Sequence, residues 1–130
     1  MPLFLRISGT EWLEEVASNE PQWRAEDTAQ IAPILAEHRV DLLDVSAGGI
    51  DHRQKARPGP KYQVPFAAAA KKVVGSRMFT VGGLGDDAIA EEVLQAGDAD
   101  VIFVGRASQK NPGTVWKMAD DLGVDVHWAN

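Results

Sequence analysis

No cysteine occurs in this 130-residue chain, which excludes disulfides, thiolate metal sites and a cysteine nucleophile. The absence fits a reducing compartment. Cations are also in short supply: 13 Lys and Arg against 19 Asp and Glu leave a formal net charge of −6. A chain this acidic argues against a non-specific nucleic-acid binder, which needs a basic face to displace phosphate counterions. No apolar run approaches the roughly 20 residues that a membrane span requires. The opening MPLFLRIS is too short an apolar stretch for a secretory signal and runs directly into polar sequence. His38, His52 and His127 are scattered, without metal-ligand spacing. Ser8 and Ser46 lack the context of a nucleophile elbow. The expectation is a soluble cytoplasmic domain with no nucleic-acid or membrane partner. It is of ordinary apolar (45%) and charged (25%) content and long enough to bury one core.

What the chain does have is a rhythm. Four short apolar runs, Leu3–Ile7, Asp41–Val45, Met78–Val81 and Val101–Val104, are bounded by Gly and Asp and read as buried strands. Helical patterns lie between and after them. Glu26 and Asp27 open a helix carrying Ile31, Ile34 and Leu35 and ending on His38 and Arg39, as the macrodipole prefers. Pro33 inside it predicts a kink or a later start, because proline costs about 3 kcal/mol in a helix interior. Pro65 begins the alanine-rich PFAAAAKKVV. Asp86 and Asp87 lead into a third helix that closes on Gly97. Asn111 and Pro112 start a fourth, with Gly123 as its stop. Strands alternating with helices, without a hairpin signal, imply a parallel sheet with right-handed crossovers. Trp12, Trp23, Trp116 and Trp128 read as core or interface material.

The long segments after the first two strands, GTEWLEEVASNEPQWRAE and GGIDHRQKARPGPKYQ, fall where α/β proteins keep their chemistry. In a parallel sheet all the strand ends share one edge. Ser46, Ala47, Gly48 and Gly49 follow the second strand, Gly82 and Gly83 the third, and Gly105 and Arg106 the fourth. Glycines there let backbone N–H groups approach an anion. Arg106 adds a permanently charged, bidentate donor, so a dianion fits between the last two strand ends. Each feature has a plainer reading: glycine pairs also make ordinary turns, and Arg106 could pair with Asp98 or Asp100 on the surface. Arg6 lies between Leu5 and Ile7, so alternation puts it on the opposite face of the first strand. A buried guanidinium is costly without an acceptor, so Arg6 finds either a carboxylate or a ligand.

Several stretches resemble the C-terminal half of the old yellow enzyme family, FMN-dependent NAD(P)H oxidoreductases (ene-reductases) built on a TIM barrel. They are FLRIS, DLLDVSAGG, YQVPFA, VGGL, EEVLQAGDADVIFVGRASQKNP and the closing HW. The resemblance implies that residues 1–130 form a single half-barrel domain, (β/α)4, equivalent to barrel strands five to eight. It implies FMN as cofactor and possible contact with NAD(P)H. Arg6 matches the arginine facing the flavin's pyrimidine end. Ala47 and Gly48 match the loop near the ribityl chain and phosphate. Gly82 and Gly83 match the seventh-strand phosphate loop, and Gly105 and Arg106 the eighth-strand grip. Tyr62 and Gln63 fall in a family loop to which no role is attached, and Lys61 stands where a small residue is usual.

The family's substrate-gripping residues and tyrosine proton donor belong to its other half, so no catalytic residue is assigned here. A complete barrel takes about 250 residues. Four parallel strands alone leave two open edges. The expectation is therefore a homodimer in which strand four of each copy meets strand one of the other. The competing expectation is a non-catalytic half-barrel scaffold that binds at most a stray anion.

Overall fold

The computed structural model describes residues 1–75 and 78–127, with residues 78–81 described by their backbone. Trp128 lies outside the described residues. The elements run β1 (Phe4–Ser8), α1 (Ala25–Glu37), β2 (Leu42–Ser46), α2 (Val64–Val74), β3 (Met78–Val81), α3 (Asp87–Gln95), β4 (Val101–Ile102), α4 (Arg106–Lys110) and α5 (Thr114–Leu122). The four strands form one sheet in the order β1-β2-β3-β4, every neighbouring pair parallel. Strand–helix alternation thus produced the parallel sheet that the pattern predicted.

The pairing register divides the sheet's side chains between two faces. Leu5 and Ile7 of β1 and Leu43 and Val45 of β2 pack into one apolar cluster with Ala32 of α1, Ala67 and Ala70 of α2, and Ala90 and Val93 of α3. The other face carries Phe4, Arg6 and Ser8 directly alongside Leu42, Asp44 and Ser46. Phe4 remains 57% exposed. β1 and β2 each sit one residue later than the apolar runs suggested, and β4 is only two residues long. Phe103 and Val104 leave the ladder and turn toward the sheet's carboxyl edge.

The helices follow from local chemistry with two corrections. Pro33 does not delay α1, which begins at Ala25. The Asp27 carboxylate accepts the Arg24 N–H at 2.9 Å and anchors the first turn, while burial of Thr28 and Ala32 holds the helix on the sheet. Pro65 sits in the first turn of α2, where its missing N–H removes no helical bond. Asp86 caps α3 by accepting the Ile89 N–H at 3.0 Å. The second correction is α4, a short helix absent from the sequence reading. It displaces the start of the last helix from Asn111 to Thr114. α5 stops at Gly123, whose φ of 67° suits glycine.

The two long loops are fastened to each other. Lys55 N–H donates to the Trp12 carbonyl at 2.9 Å, Arg57 pairs with Glu15, and Arg53 approaches Glu20 at 3.5 Å. Trp12 sits edge-on to Phe66 at 5.5 Å. Trp23 Nε1 donates to Thr28 Oγ1 at 2.8 Å, whose hydroxyl lies 3.1 Å from the Ser8 and Gly9 carbonyls. Trp116, by contrast, is 40% exposed. Among the described residues no helix is long and apolar enough to cross a membrane.

Leu43 is buried in the apolar cluster, so Leu43→Ala should cost about 2–5 kcal/mol of unfolding free energy in urea titrations. Val115→Ala, at an exposed position of α5, should stay within about 0.5 kcal/mol.

Candidate functional site

A cavity of about 720 Å³ opens where the strands end, within the roughly 300–1,000 Å³ common for small-ligand sites. Ser46 closes β2 at its floor. The Gly82–Gly85 turn after β3 and the Phe103–Arg106 segment after β4 form two walls, and Arg6 reaches in from β1. Lys110, at the end of α4, faces the same space. Arg6, Arg106 and Lys110 therefore converge on one cavity, and no carboxylate is among its described lining residues. In a chain with net charge −6 this is a local reversal of sign, suited to an anion.

Of the residues singled out in the sequence, Arg6, Gly82, Gly83, Gly105 and Arg106 line this cavity together. Ala47 and Gly48 do not line it. Ala47 is buried, its carbonyl accepting from Gln63 Nε2 at 3.2 Å. Gly48 takes a φ of 92°, and a Cβ there would lie 3.8 Å from Trp12 Cδ1. The surface alternative for Arg106 is not realised with Asp100, which pairs with Lys71 at 2.8 Å. Among the described residues neither Arg106 nor Lys110 is ion-paired.

Arg6 corrects the sequence reading in one respect: it is not a buried guanidinium, since its side chain is 63% exposed. It nevertheless meets a carboxylate. Asp44 stands opposite it in the β1–β2 register and accepts from Arg6 Nε. The Nη groups have no partner among the described residues. Asp44 is itself buried, and its Oδ1 accepts no hydrogen bond among the described residues. Burial pushes its pKa above the usual 3.8, outweighing the hydrogen bond and positive charge of Arg6, which pull it down.

Tyr62 and Gln63 also line the cavity. The preceding Lys61 adopts a φ of 62°, in the left-handed region that favours glycine, and its Nζ pairs with Glu92 of α3. Among the described residues no cluster of His, Asp and Glu could hold a metal ion.

Sequence reasoning missed Asp44 and Lys110. A lone carboxylate inside the apolar run DLLDV was the available signal for Asp44, because a charge there needs a neighbouring-strand partner. Lys110 had none, since it reaches the cavity through α4.

Raised above its unfolded value, Asp44 favours the folded state when protonated. That contribution is complete below pH 3.8 and is lost as pH rises through the raised native value. Asp44→Asn does not titrate, so its stability relative to the parent should rise across that window. Urea titrations at pH 3.5 and at successively higher pH would check this; a pH-independent difference would contradict it.

An NADH:flavin oxidoreductase of Gibberella zeae is 44% identical over 99% of this chain and 33% of its own length. NADPH dehydrogenases of Geobacillus thermodenitrificans and Bacillus subtilis are 35% and 31% identical, each over 96% of this chain and 35% of their own length. No family model matches. The chain spans about a third of the length of these relatives.

Proposed function

The chain belongs to the old yellow enzyme family of NAD(P)H-dependent flavin oxidoreductases, and from that premise we propose that it binds FMN by its phosphate at the ends of β3 and β4. One observation carries the reading: Arg6, Arg106 and Lys110 share a cavity without a described carboxylate in a chain of net charge −6. Two of these cations are exposed and have no ion-pair partner among the described residues, so their donors are free to turn to an arriving anion. Arg106 supplies a fork of donors matched to phosphate oxygens. Lys110 adds a mobile point charge. The Gly82–Gly83 turn presents backbone without side chains, which lets main-chain N–H groups come close to the ligand. The donor set therefore suits a phosphate monoester.

Arg6 has a separate role in this proposal. Asp44 fixes the guanidinium through Nε, leaving the Nη groups to face the ring end of the cofactor. Bound flavin would supply hydride acceptance and delivery with NAD(P)H; the chain's residues supply orientation and charge. Asp44 keeps Arg6 oriented, and Ser46 offers a hydroxyl on the cavity floor. Ala47 and Gly48 contribute indirectly, as the turn on which Gln63 is hung.

The four-stranded sheet is, in this reading, half of a (β/α)8 barrel. Among the described residues β1 and β4 are each paired on one side only, and Phe4 leaves apolar area beside the open edge of β1. A second copy would close both edges, β4 of each against β1 of the other.

Titration of FMN into the purified chain, followed by flavin fluorescence with light scattering on the same sample, tests both proposals. Saturable binding should weaken about ten- to a hundredfold in Arg106→Ala, the 1.5–3 kcal/mol of a hydrogen bond to a charged group. Equal affinity in that variant would leave a scaffold with an adventitious anion site. A monomeric mass in the presence of FMN would remove the dimer.

A further inference from the structure

Tyr62 stands at the cavity wall with a hydrogen-bonding arrangement that leaves one group unused. The side-chain amide of Gln63 lies 3.2 Å from the Ala47 carbonyl and 2.9 Å from the Tyr62 hydroxyl. A carbonyl can only accept, so the amide atom facing Ala47 must be nitrogen. That nitrogen has two hydrogens, and the second goes to the phenol oxygen. Tyr62 is thus the acceptor in this pair, and its own O–H is free to donate. Among the described residues nothing accepts that hydrogen. The described lining residues of the cavity include no carboxylate to take it.

We propose that the Tyr62 hydroxyl donates a hydrogen bond to the phosphate-class anion held in this cavity, with Gln63 as the residue that positions it. This rests on the anion reading of the cavity and adds a neutral donor to its cations. Gln63 is 5% exposed and joins the carboxyl end of β2 to the tyrosine, so the hydroxyl is held by the sheet rather than by a free loop. The tyrosine ring lies against Gly83, where a Cβ would come within 3.2 Å of Cε1. The ring therefore borders the same turn that offers its backbone to the ligand. Accepting a hydrogen bond from Gln63 also polarises the phenol and makes it a stronger donor. On the other side, the Lys61–Glu92 pair ties the residue before it to α3.

Tyr62 is the chain's single tyrosine, so protein labelled with 13C at the tyrosine Cζ gives one ring resonance that reports on this hydroxyl. Inorganic phosphate and FMN are titrated separately into the intact chain, and into Tyr62→Phe, Gln63→Ala and the double variant. The expected result is a saturable shift of the Cζ resonance with both probes. Affinity should be about ten- to a hundredfold weaker in Tyr62→Phe. Gln63→Ala should lose part or all of that factor, and the double variant no more than Tyr62→Phe alone.

Saturable binding with an unmoved Cζ signal and equal affinity in Tyr62→Phe would overturn the proposal and leave the anion reading standing. A loss confined to FMN, with phosphate unaffected, would also overturn it, since the contact would then be to another part of the cofactor. Failure of both probes to bind the parent chain would overturn the anion reading together with this one. The Cζ measurement needs no variant, so a substitution that misfolds does not blunt the test.

Discussion

Four strands that run parallel and in sequential order must all end on the same edge, and most of this molecule follows from that constraint. Each strand has to be followed by a crossover, which places α1, α2 and α3 between successive strands and covers the face carrying Leu43 and Val45. Each crossover begins at the shared edge, so the segments after β2, β3 and β4 are brought together although they are far apart in the chain. The cavity is the space between those segments. Its contents are set by which residues happen to occupy the first positions after each strand.

Charge is distributed to match. Much of the acidic surplus lies at the periphery, where Asp100 pairs with Lys71, Asp121 with Lys117 and Glu15 with Arg57. Exposed pairs of this kind contribute little to stability, but they keep carboxylates engaged away from the cavity. Within it the described lining residues include cations and no acid. Asp44 is the near exception. It stands one strand away from Arg6, buried and above its usual pKa, and it holds that arginine through Nε while leaving the cavity itself unoccupied by negative charge.

The loops after β1 and β2 brace each other, and the second ends on Tyr62 and Gln63 at the cavity wall. Their mutual contacts through Trp12, Lys55, Glu15 and Arg57 hold the two loops together, and Gln63 bonds back to the end of β2 through the Ala47 carbonyl. Tyr62 is carried along. A residue outside the cavity, Ala47, thereby governs one inside it. The relatives named above are about three times as long as this chain, and the open edges of β1 and β4 are where a parallel sheet accepts further strands.

Parallel topology was determined by the sequence alone, because apolar runs separated by helical periodicity and no hairpin turn admit few other arrangements. The place of Gly105 and Arg106 at the carboxyl end of β4 was legible too: they follow directly on an apolar run, and local adjacency survives folding. Tertiary structure decided what depends on register and on distance through space. Arg6 and Asp44 are opposite only because β1 and β2 pair Phe4 with Leu42, and a shift of one residue would have separated them to opposite faces. Lys110 enters the cavity on a five-residue helix too short to have a periodicity of its own. Gln63 meets Ala47 across a long loop whose path is set by side-chain contacts. Pairings across strands and loops carry no local signature, so they emerge only when the chain is folded.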